Sequence, residues 1–114
     1  MAARQAQFQV ERVPGEAVVF RLAGNLDLTT VDRLRAAVGP ACGTGVEVRL
    51  DLSAVDFCDS TGVGTFVWLH RQATAAGGRL VLCAPRKAVR EVLKISGVDR
   101  AIPVIGRAAP PPRT

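Results

Sequence analysis

The spacing of apolar and polar residues changes several times along the chain, and each change predicts a secondary-structure element. Segments 8–13 (FQVERV) and 17–24 (AVVFRLAG) are rich in β-branched and aromatic residues, and Pro-Gly-Glu separates them. This pattern predicts two strands joined by a tight turn, an antiparallel hairpin. Apolar and charged residues alternate over 46–52 (VEVRLDL), which predicts a third strand. We expect that strand to end at a loop over 53–60 (SAVDFCDS).

Two longer stretches have helical spacing. After GNLD, Thr29 or Thr30 is placed to cap a first helix, which Pro40 is expected to end. A second helix is predicted to begin at Ser60 and to end before a pair of glycines. Its inner face is predicted to consist of Val63, Phe66, Val67, His70 and Ala73.

The last third of the chain repeats the alternation of strand and helix. Segment 79–84 (RLVLCA) predicts a strand, and 85–97 predicts a helix with Pro85 near its first turn and Gly97 at its end. Segment 101–105 (AIPVI) predicts an edge strand, where a proline is tolerated. Segment 106–114 is rich in proline and is expected to be a disordered tail.

The order of these elements, β-β-α-β-α-β-α-β, predicts an α/β fold. We expect a mixed sheet, formed by the N-terminal antiparallel hairpin and later parallel crossovers, with helices packed on it. A chain of 114 residues is the usual size of one domain, here predicted over 1–105. Ligand and partner sites in such sheets lie at the carboxyl ends of the strands, which is the predicted position of 59–62 (DSTG).

Composition narrows the classes of function. The chain has no apolar run long enough to cross a membrane and its first residues lack a signal peptide, so we expect a cytoplasmic protein without a membrane partner. Three cysteines without a C-x-x-C pair argue against disulfides and a zinc site. The net charge of +5 is dispersed and aromatic residues are few, which argues against direct binding of nucleic acid.

The DSTG segment has a simple structural interpretation, in which Ser60 or Thr61 caps the second helix. Gly62 is not explained by capping, because glycine in a helix costs up to about 1 kcal/mol relative to alanine. Close approach of another group to the backbone, or an open docking surface, would explain it.

Catalytic interpretations of the same segment fail on spacing. A nucleophile elbow needs a glycine two residues before the serine, and an aspartic protease needs a single hydroxyl residue between Asp and Gly. A phosphate-binding loop needs a lysine that is absent here. His70 is the only histidine and has no partner at metal-ligand spacing, so a satisfied core or boundary position is favoured over a metal ligand. We therefore expect no enzyme, no catalytic residue, no metal and no cofactor.

A hydroxyl group beside a carboxylate at a helix N-terminus fits a substrate of a kinase better than an enzyme. Phosphorylation adds about −1.5 to −2 charges, which a helix N-terminus tolerates. A partner docked over the same corner would meet steric and electrostatic cost. Modification of this segment could therefore spare the fold and break an interface.

Three segments resemble the STAS domain, and within it the bacterial anti-sigma factor antagonists. They are 20–34 (FRLAGNLDLTTVDRL), 46–85 (which includes the D-S-[ST]-G-[LV]-G core) and 89–104 (VREVLKISGVDRAIPV). The resemblance implies that the unphosphorylated protein binds an anti-sigma factor that is also an ATP-dependent serine kinase, so that a sigma factor is released. The kinase then phosphorylates the serine after the Asp, and a serine phosphatase reverses the modification.

Position by position, the resemblance makes Ser60 the phosphoacceptor, with Thr61 as its main competitor. It implies a partner-binding surface of Asn25, Asp27, Asp59, Ser60, Thr61 and Gly62. Many members of the family carry Glu where this chain has Asn25.

Other interpretations stay open beside this one. A STAS module of a stress-signalling scaffold, of a transport system or of a nucleotide or small-ligand sensor would share the fold. A small esterase or phosphatase using Ser60 lacks a plausible base. Cys58 is interpreted as a packed thiol rather than a redox sensor. Arg86, Arg90 and Lys94 are interpreted as a solvated helix face rather than a site for an acidic partner.

Overall fold

The computed structural model describes residues 8–106, and its elements follow the predicted order. They are β1 (Gln9–Val13), β2 (Val18–Leu26), α1 (Val31–Cys42), β3 (Glu47–Cys58), α2 (Ser60–Ala75), β4 (Arg79–Cys83), α3 (Lys87–Ser96) and β5 (Val104–Ile105), with a short 3-10 helix at Val98–Arg100.

The strands form one mixed sheet in the order β1-β2-β3-β4-β5. β1 and β2 pair antiparallel as a hairpin, and every later pair is parallel. The predicted α/β fold is therefore confirmed. β5 lies at an edge of the sheet, as predicted, and consists of two residues. The carboxyl ends of β2 and β3 lie side by side, because Leu26 is the register partner of Cys58.

The hydrophobic core lies between one face of the sheet and the helices. Phe20, Val48, Leu50, Leu80 and Leu82 occupy that face and are buried. The same cluster contains the inward side chains of all three helices: Leu34, Val38, Phe66, Leu69, Val89 and Leu93. Burial of a side chain of this size contributes about 1.5–3 kcal/mol, so this cluster holds α2 against the strands.

The opposite face of the sheet carries charged side chains. Arg21 lies 3.6 Å from Asp51, and Glu47 pairs with both Arg49 and Arg79. Within VEVRLDL, Val48 and Leu50 are buried in the core while Glu47 and Arg49 pair on the opposite face, as the alternation predicts; Val46 is exposed and Asp51 is buried, which the alternation does not predict.

β3 is longer than predicted, which corrects the expected loop over 53–60. Its pairing with β2 shifts register twice, between Arg21 and Ala23 and again between Gly24 and Asn25, and continues to Cys58. Each bulge inserts one extra residue into β3, and pairing with β2 resumes after it. The alternation of apolar and polar residues is therefore lost, although the strand continues. The strand therefore delivers Asp59 directly to the start of α2.

The helix boundaries contain two further corrections. Pro40 lies inside α1 rather than at its end, and the helix continues to Cys42, which is fully buried. Proline removes one backbone hydrogen bond, and the burial of Cys42 offsets that loss in the last turn. Pro85 lies before α3, which begins at Lys87. Gly97 ends α3 in the left-handed region with φ +80°, as predicted.

In α2, the predicted inner face is correct at Val63, Phe66 and Ala73, whereas Val67 and His70 are only half-buried. The predicted tail at 106–114 lies outside the described residues except for Gly106. Within residues 8–106, no helix combines the length and apolar character that a membrane crossing requires.

Candidate functional site: the Ser60 edge

The first turn of α2 is capped by Asp59. Its backbone is extended, and its carboxylate Oδ1 accepts hydrogen bonds from the N–H groups of Thr61 at 2.9 Å and Gly62 at 3.2 Å. An Asp N-cap satisfies N–H groups that have no helical partner and contributes about 1 kcal/mol. The prediction that Ser60 or Thr61 caps this helix is therefore wrong, since the cap is the residue before them.

This capping arrangement leaves the two neighbouring hydroxyl groups in different situations. The Thr61 hydroxyl donates to Asp59 Oδ1 at 2.6 Å. The Ser60 side chain is exposed, and within residues 8–106 its hydroxyl makes no hydrogen bond. Ser60 is thus the accessible hydroxyl of the pair.

The hydrogen bond from the Thr61 hydroxyl, with those from the backbone N–H groups of Gly62 and Thr61, holds the pKa of Asp59 below its ordinary value of 3.8. Asp59 is therefore ionised at neutral pH, directly beside the Ser60 hydroxyl. Because its carboxylate already accepts from two N–H groups of the first turn, those groups are occupied before any other anion reaches this corner.

A second loop lies against the start of α2. The backbone N–H of Asp59 donates to the carbonyl of Leu26 at 3.1 Å, which joins the end of β2 to the cap. Beyond Leu26, the Asp27 carboxylate accepts from the N–H and hydroxyl of Thr29 at 2.9 and 2.6 Å. We call this corner the Ser60 edge, and it comprises residues 25–30 and 57–64.

Thr30 fixes the shape of the 25–30 loop. Thr29 or Thr30 was predicted to cap α1, and Thr30 is the N-cap residue. Its side chain, however, makes no capping hydrogen bond to the helix. Its hydroxyl instead donates to the carbonyl of Asn25 at 2.8 Å and accepts from the N–H of Asp27 at 3.0 Å. Asn25 and Asp27 are therefore held at the same edge as Ser60, as the predicted partner surface requires.

The two glycines of the first turns have different surroundings. A Cβ atom on Gly62 would lie 2.7 Å from Cys58 Sγ and 3.0 Å from Leu26 Cβ. A Cβ atom on Gly64 would have no heavy atom within 4 Å. Gly62 is thus explained by close packing of α2 against the ends of β2 and β3, and its contact with a partner stays a prediction. Gly64 lies one helical turn after Ser60 and leaves the surface there open.

Cys58 lies beneath this corner as a packed thiol. Its side chain is 2% exposed, and burial, with a smaller effect of the Asp59 charge, raises its pKa to about 12. A thiol with a raised pKa is a poor nucleophile. All three cysteines are free and buried.

Other candidate residues lie away from this corner. Arg86 donates to the carbonyl of Ser53 and pairs with Asp56, so it fastens the start of α3 to β3, while Arg90 and Lys94 are exposed. His70 Nδ1 is buried and has no hydrogen-bond partner in the described part of the chain. The expectation that the hydrogen-bonding groups of this histidine are satisfied is therefore wrong for Nδ1. Residues 8–106 contain no group of His, Cys, Asp or Glu suited to hold a metal ion.

Two exposed apolar residues of this edge were not among the residues predicted for the site. Phe57 is 51% exposed and is the register partner of Asn25. Leu28 is 74% exposed and directly follows Asp27. For Phe57, the sequence contains one signal: the alternation of apolar and polar residues breaks at 56–58, where a charged, an aromatic and a small residue follow each other.

The sequence profile of the STAS domain matches residues 7–108, and the chain therefore belongs to the STAS domain family. It is 38% identical over 93 residues to an anti-sigma F factor antagonist of Lysinibacillus sphaericus, with 80% of each chain covered.

Solved structures of SpoIIAA agree with this assignment. The chain is similar to the anti-sigma factor antagonist SpoIIAA in its unphosphorylated form, with 33% identity, a TM-score of 0.69, and coverage of 86% of this chain and 87% of that chain. It is also similar to the phosphorylated form of the Bacillus cell fate determinant SpoIIAA, with 33% identity, a TM-score of 0.64, and coverage of 86% and 90%. STAS anti-sigma factor antagonists are regulatory binding proteins and not enzymes, as predicted for this chain.

Proposed function

We propose that this protein is an anti-sigma factor antagonist whose binding is switched by phosphorylation of Ser60. With a free Ser60 hydroxyl it binds an anti-sigma factor that is also a serine kinase, and a sigma factor is released. Phosphorylation of Ser60 by that kinase, which supplies the ATP site, ends the complex. A serine phosphatase restores the binding form.

One observation carries the choice of Ser60. Its hydroxyl is exposed and unbonded in the described part of the chain, whereas the neighbouring Thr61 hydroxyl is held by Asp59 at 2.6 Å. A kinase must bring a hydroxyl oxygen to the γ-phosphate of ATP, and a free hydroxyl meets this demand without breaking a hydrogen bond. The proposal gains support from SpoIIAA, for which both an unphosphorylated and a phosphorylated form are known.

We propose that the switch combines the steric bulk of the phosphate with its charge. A phosphate on Ser60 would bring about two negative charges next to the ionised Asp59. Asp59 already occupies the N–H groups of Thr61 and Gly62, so they are not free to neutralise the phosphate. The phosphate would stay at the surface, and a partner that fits the small hydroxyl would have to accommodate its bulk and bury it beside the ionised Asp59.

The proposed contact surface consists of the residues that surround this hydroxyl: Asn25, Asp27, Asp59, Ser60, Thr61 and Gly62. We propose that the protein acts in the cytoplasm, where ATP and sigma factors are found, and that it needs no nucleic acid, membrane, metal or cofactor of its own.

Site mapping tests this proposal. The protein is incubated with ATP and the anti-sigma factor kinases encoded in the same genome, and the phosphate is located by intact and peptide mass spectrometry. We expect one phosphate on Ser60, no incorporation in Ser60→Ala, and a phosphate still located on Ser60 in Thr61→Val, even if the altered contact surface changes the rate. Phosphate on Thr61 alone would contradict the site. No incorporation with any of these kinases would contradict the function and favour a STAS role in a scaffold, a transport system or a sensor.

A further inference from the structure

Two of the four exposed large hydrophobic residues in the described part of the chain lie at the Ser60 edge. Among residues 8–106, the large hydrophobic residues that are exposed are Leu28, Val46, Phe57 and Ile95. Leu28 and Phe57 lie at the Ser60 edge, at the carboxyl ends of β2 and β3. Val46 precedes β3 at the opposite end of the sheet, and Ile95 lies on α3. Exposed apolar side chains beside a proposed docking surface are candidates for burial by the molecule that docks there.

A β-bulge turns Phe57 outward. Alternation along a strand would place residue 57 on the same face as the fully buried Val55. The register shift at Asp56 inserts one residue, so that Phe57 becomes the partner of Asn25 while Cys58 returns to the core as the partner of Leu26. Bulges next to functional sites re-aim side chains in this way. Because strand pairing resumes after the bulge, the Phe57 ring is held outward, opposite the predicted contact residue Asn25.

The charges around these apolar groups are acidic. Within residues 8–106, neither Asp27 nor Asp59 forms an ion pair; their carboxylates accept hydrogen bonds only from neighbouring backbone and hydroxyl groups. The nearby Asp56 is neutralised by Arg86. A partner that covers Leu28 and Phe57 would therefore have to supply cationic groups around its apolar contact area.

We propose that Phe57 and Leu28 are the apolar anchors that hold the anti-sigma factor at the Ser60 edge, and that the anti-sigma factor offers them an apolar pocket rimmed by Arg or Lys side chains. This inference rests on the proposed function and specifies the chemistry of the partner surface. The anchors set the affinity of the complex, whereas the Ser60 hydroxyl supplies the position that is modified. A few buried aromatic and aliphatic side chains commonly carry most of the affinity of an interface.

The test measures binding of the anti-sigma factor kinase encoded in the same genome to wild-type protein, Phe57→Ala, Leu28→Ala and the control Ile95→Ala. We expect each anchor variant to bind about tenfold or more weakly, as hot-spot truncations do, and the control to bind like wild-type. In the phosphorylation assay the anchor variants should raise KM and leave kcat nearly unchanged. Affinity should fall as salt is raised, and Asp27→Asn should lessen that dependence.

Several outcomes would overturn the inference. If both anchor variants bind the kinase with wild-type affinity and are phosphorylated normally on Ser60, Phe57 and Leu28 are not anchors, and the proposed function still stands. Loss of self-association in Phe57→Ala, measured by sedimentation, with unchanged kinase binding would assign the surface to a second copy of this chain. If wild-type protein binds no anti-sigma factor, the proposed function fails and the anchors fail with it. Leu28→Ala keeps the test valid should Phe57→Ala not fold, because Leu28 is 74% exposed in a loop.

Discussion

Replacing Gly62 by alanine should destabilise the fold, although alanine favours helices. The added Cβ would lie 2.7 Å from Cys58 Sγ, 3.0 Å from Leu26 Cβ and 3.2 Å from the Leu26 carbonyl oxygen, whereas ordinary contacts begin at 3.4 Å. Both neighbours are buried, with 2% and 0% exposure, so neither has free space to move into. Overpacking of this kind costs about 1–3 kcal/mol.

The helical gain from alanine offsets part of that cost. Gly to Ala contributes up to about 1 kcal/mol within a helix, so the net loss in the free energy of unfolding should be about 1–2 kcal/mol. For a domain of this size, that loss corresponds to a decrease in Tm of roughly 4–8 °C. Thermal and urea unfolding followed by circular dichroism measure both quantities.

Gly64→Ala is the matched control, because the same methyl group enters open space two residues later. It should leave stability unchanged or raise it by up to about 1 kcal/mol. The variant Cys58→Ala combined with Gly62→Ala tests the named contact, since removal of Sγ should make the double variant more stable than the sum of the single effects predicts. A Gly62→Ala protein as stable as wild-type would refute the packing explanation.

Other predictions follow from the same corner. Asp59→Ala removes the cap of α2 and should lower stability by about 1 kcal/mol at neutral pH, measured by urea unfolding. Because folding lowers the pKa of Asp59, its contribution is present above the ordinary value of 3.8 and is lost as the pH falls through the folded pKa. The stability difference between wild-type and Asp59→Ala should therefore shrink in acid, and a constant difference would argue against the charged cap. Gly64→Ala should keep its fold but bind the anti-sigma factor more weakly, since a methyl group then stands one turn from Ser60; calorimetry that finds equal affinity would exclude Gly64 from the interface.

The topology could be predicted because each element carries its own local pattern. The hairpin is marked by two β-rich runs around Pro-Gly-Glu, and the start of α2 is marked by the change from strand to helical spacing at Ser60. The extension of β3 to Cys58 could not be predicted in the same way, since two bulges remove the alternation on which strand prediction depends.

Site details depended on contacts between distant segments. Asp59, Ser60 and Thr61 are all suitable cap residues, and only the geometry of the turn selects Asp59. The need for Gly62 arises from Cys58 and from Leu26, and Leu26 is far away in sequence. Pro40 within α1 shows a related effect, because burial of Cys42 extends the helix beyond its usual stop signal.

The central claim is that a single phosphate on Ser60 breaks a complex while the fold persists. Its most direct test is calorimetric titration of one anti-sigma factor kinase with the unmodified protein and with protein fully phosphorylated at Ser60. We expect the phosphorylated form to keep its circular dichroism spectrum and to bind about 100-fold more weakly, because docking would bury a bulky phosphate beside the ionised Asp59, at a cost in steric fit, desolvation and like-charge repulsion within this chain. Equal affinity of the two forms would contradict the claim.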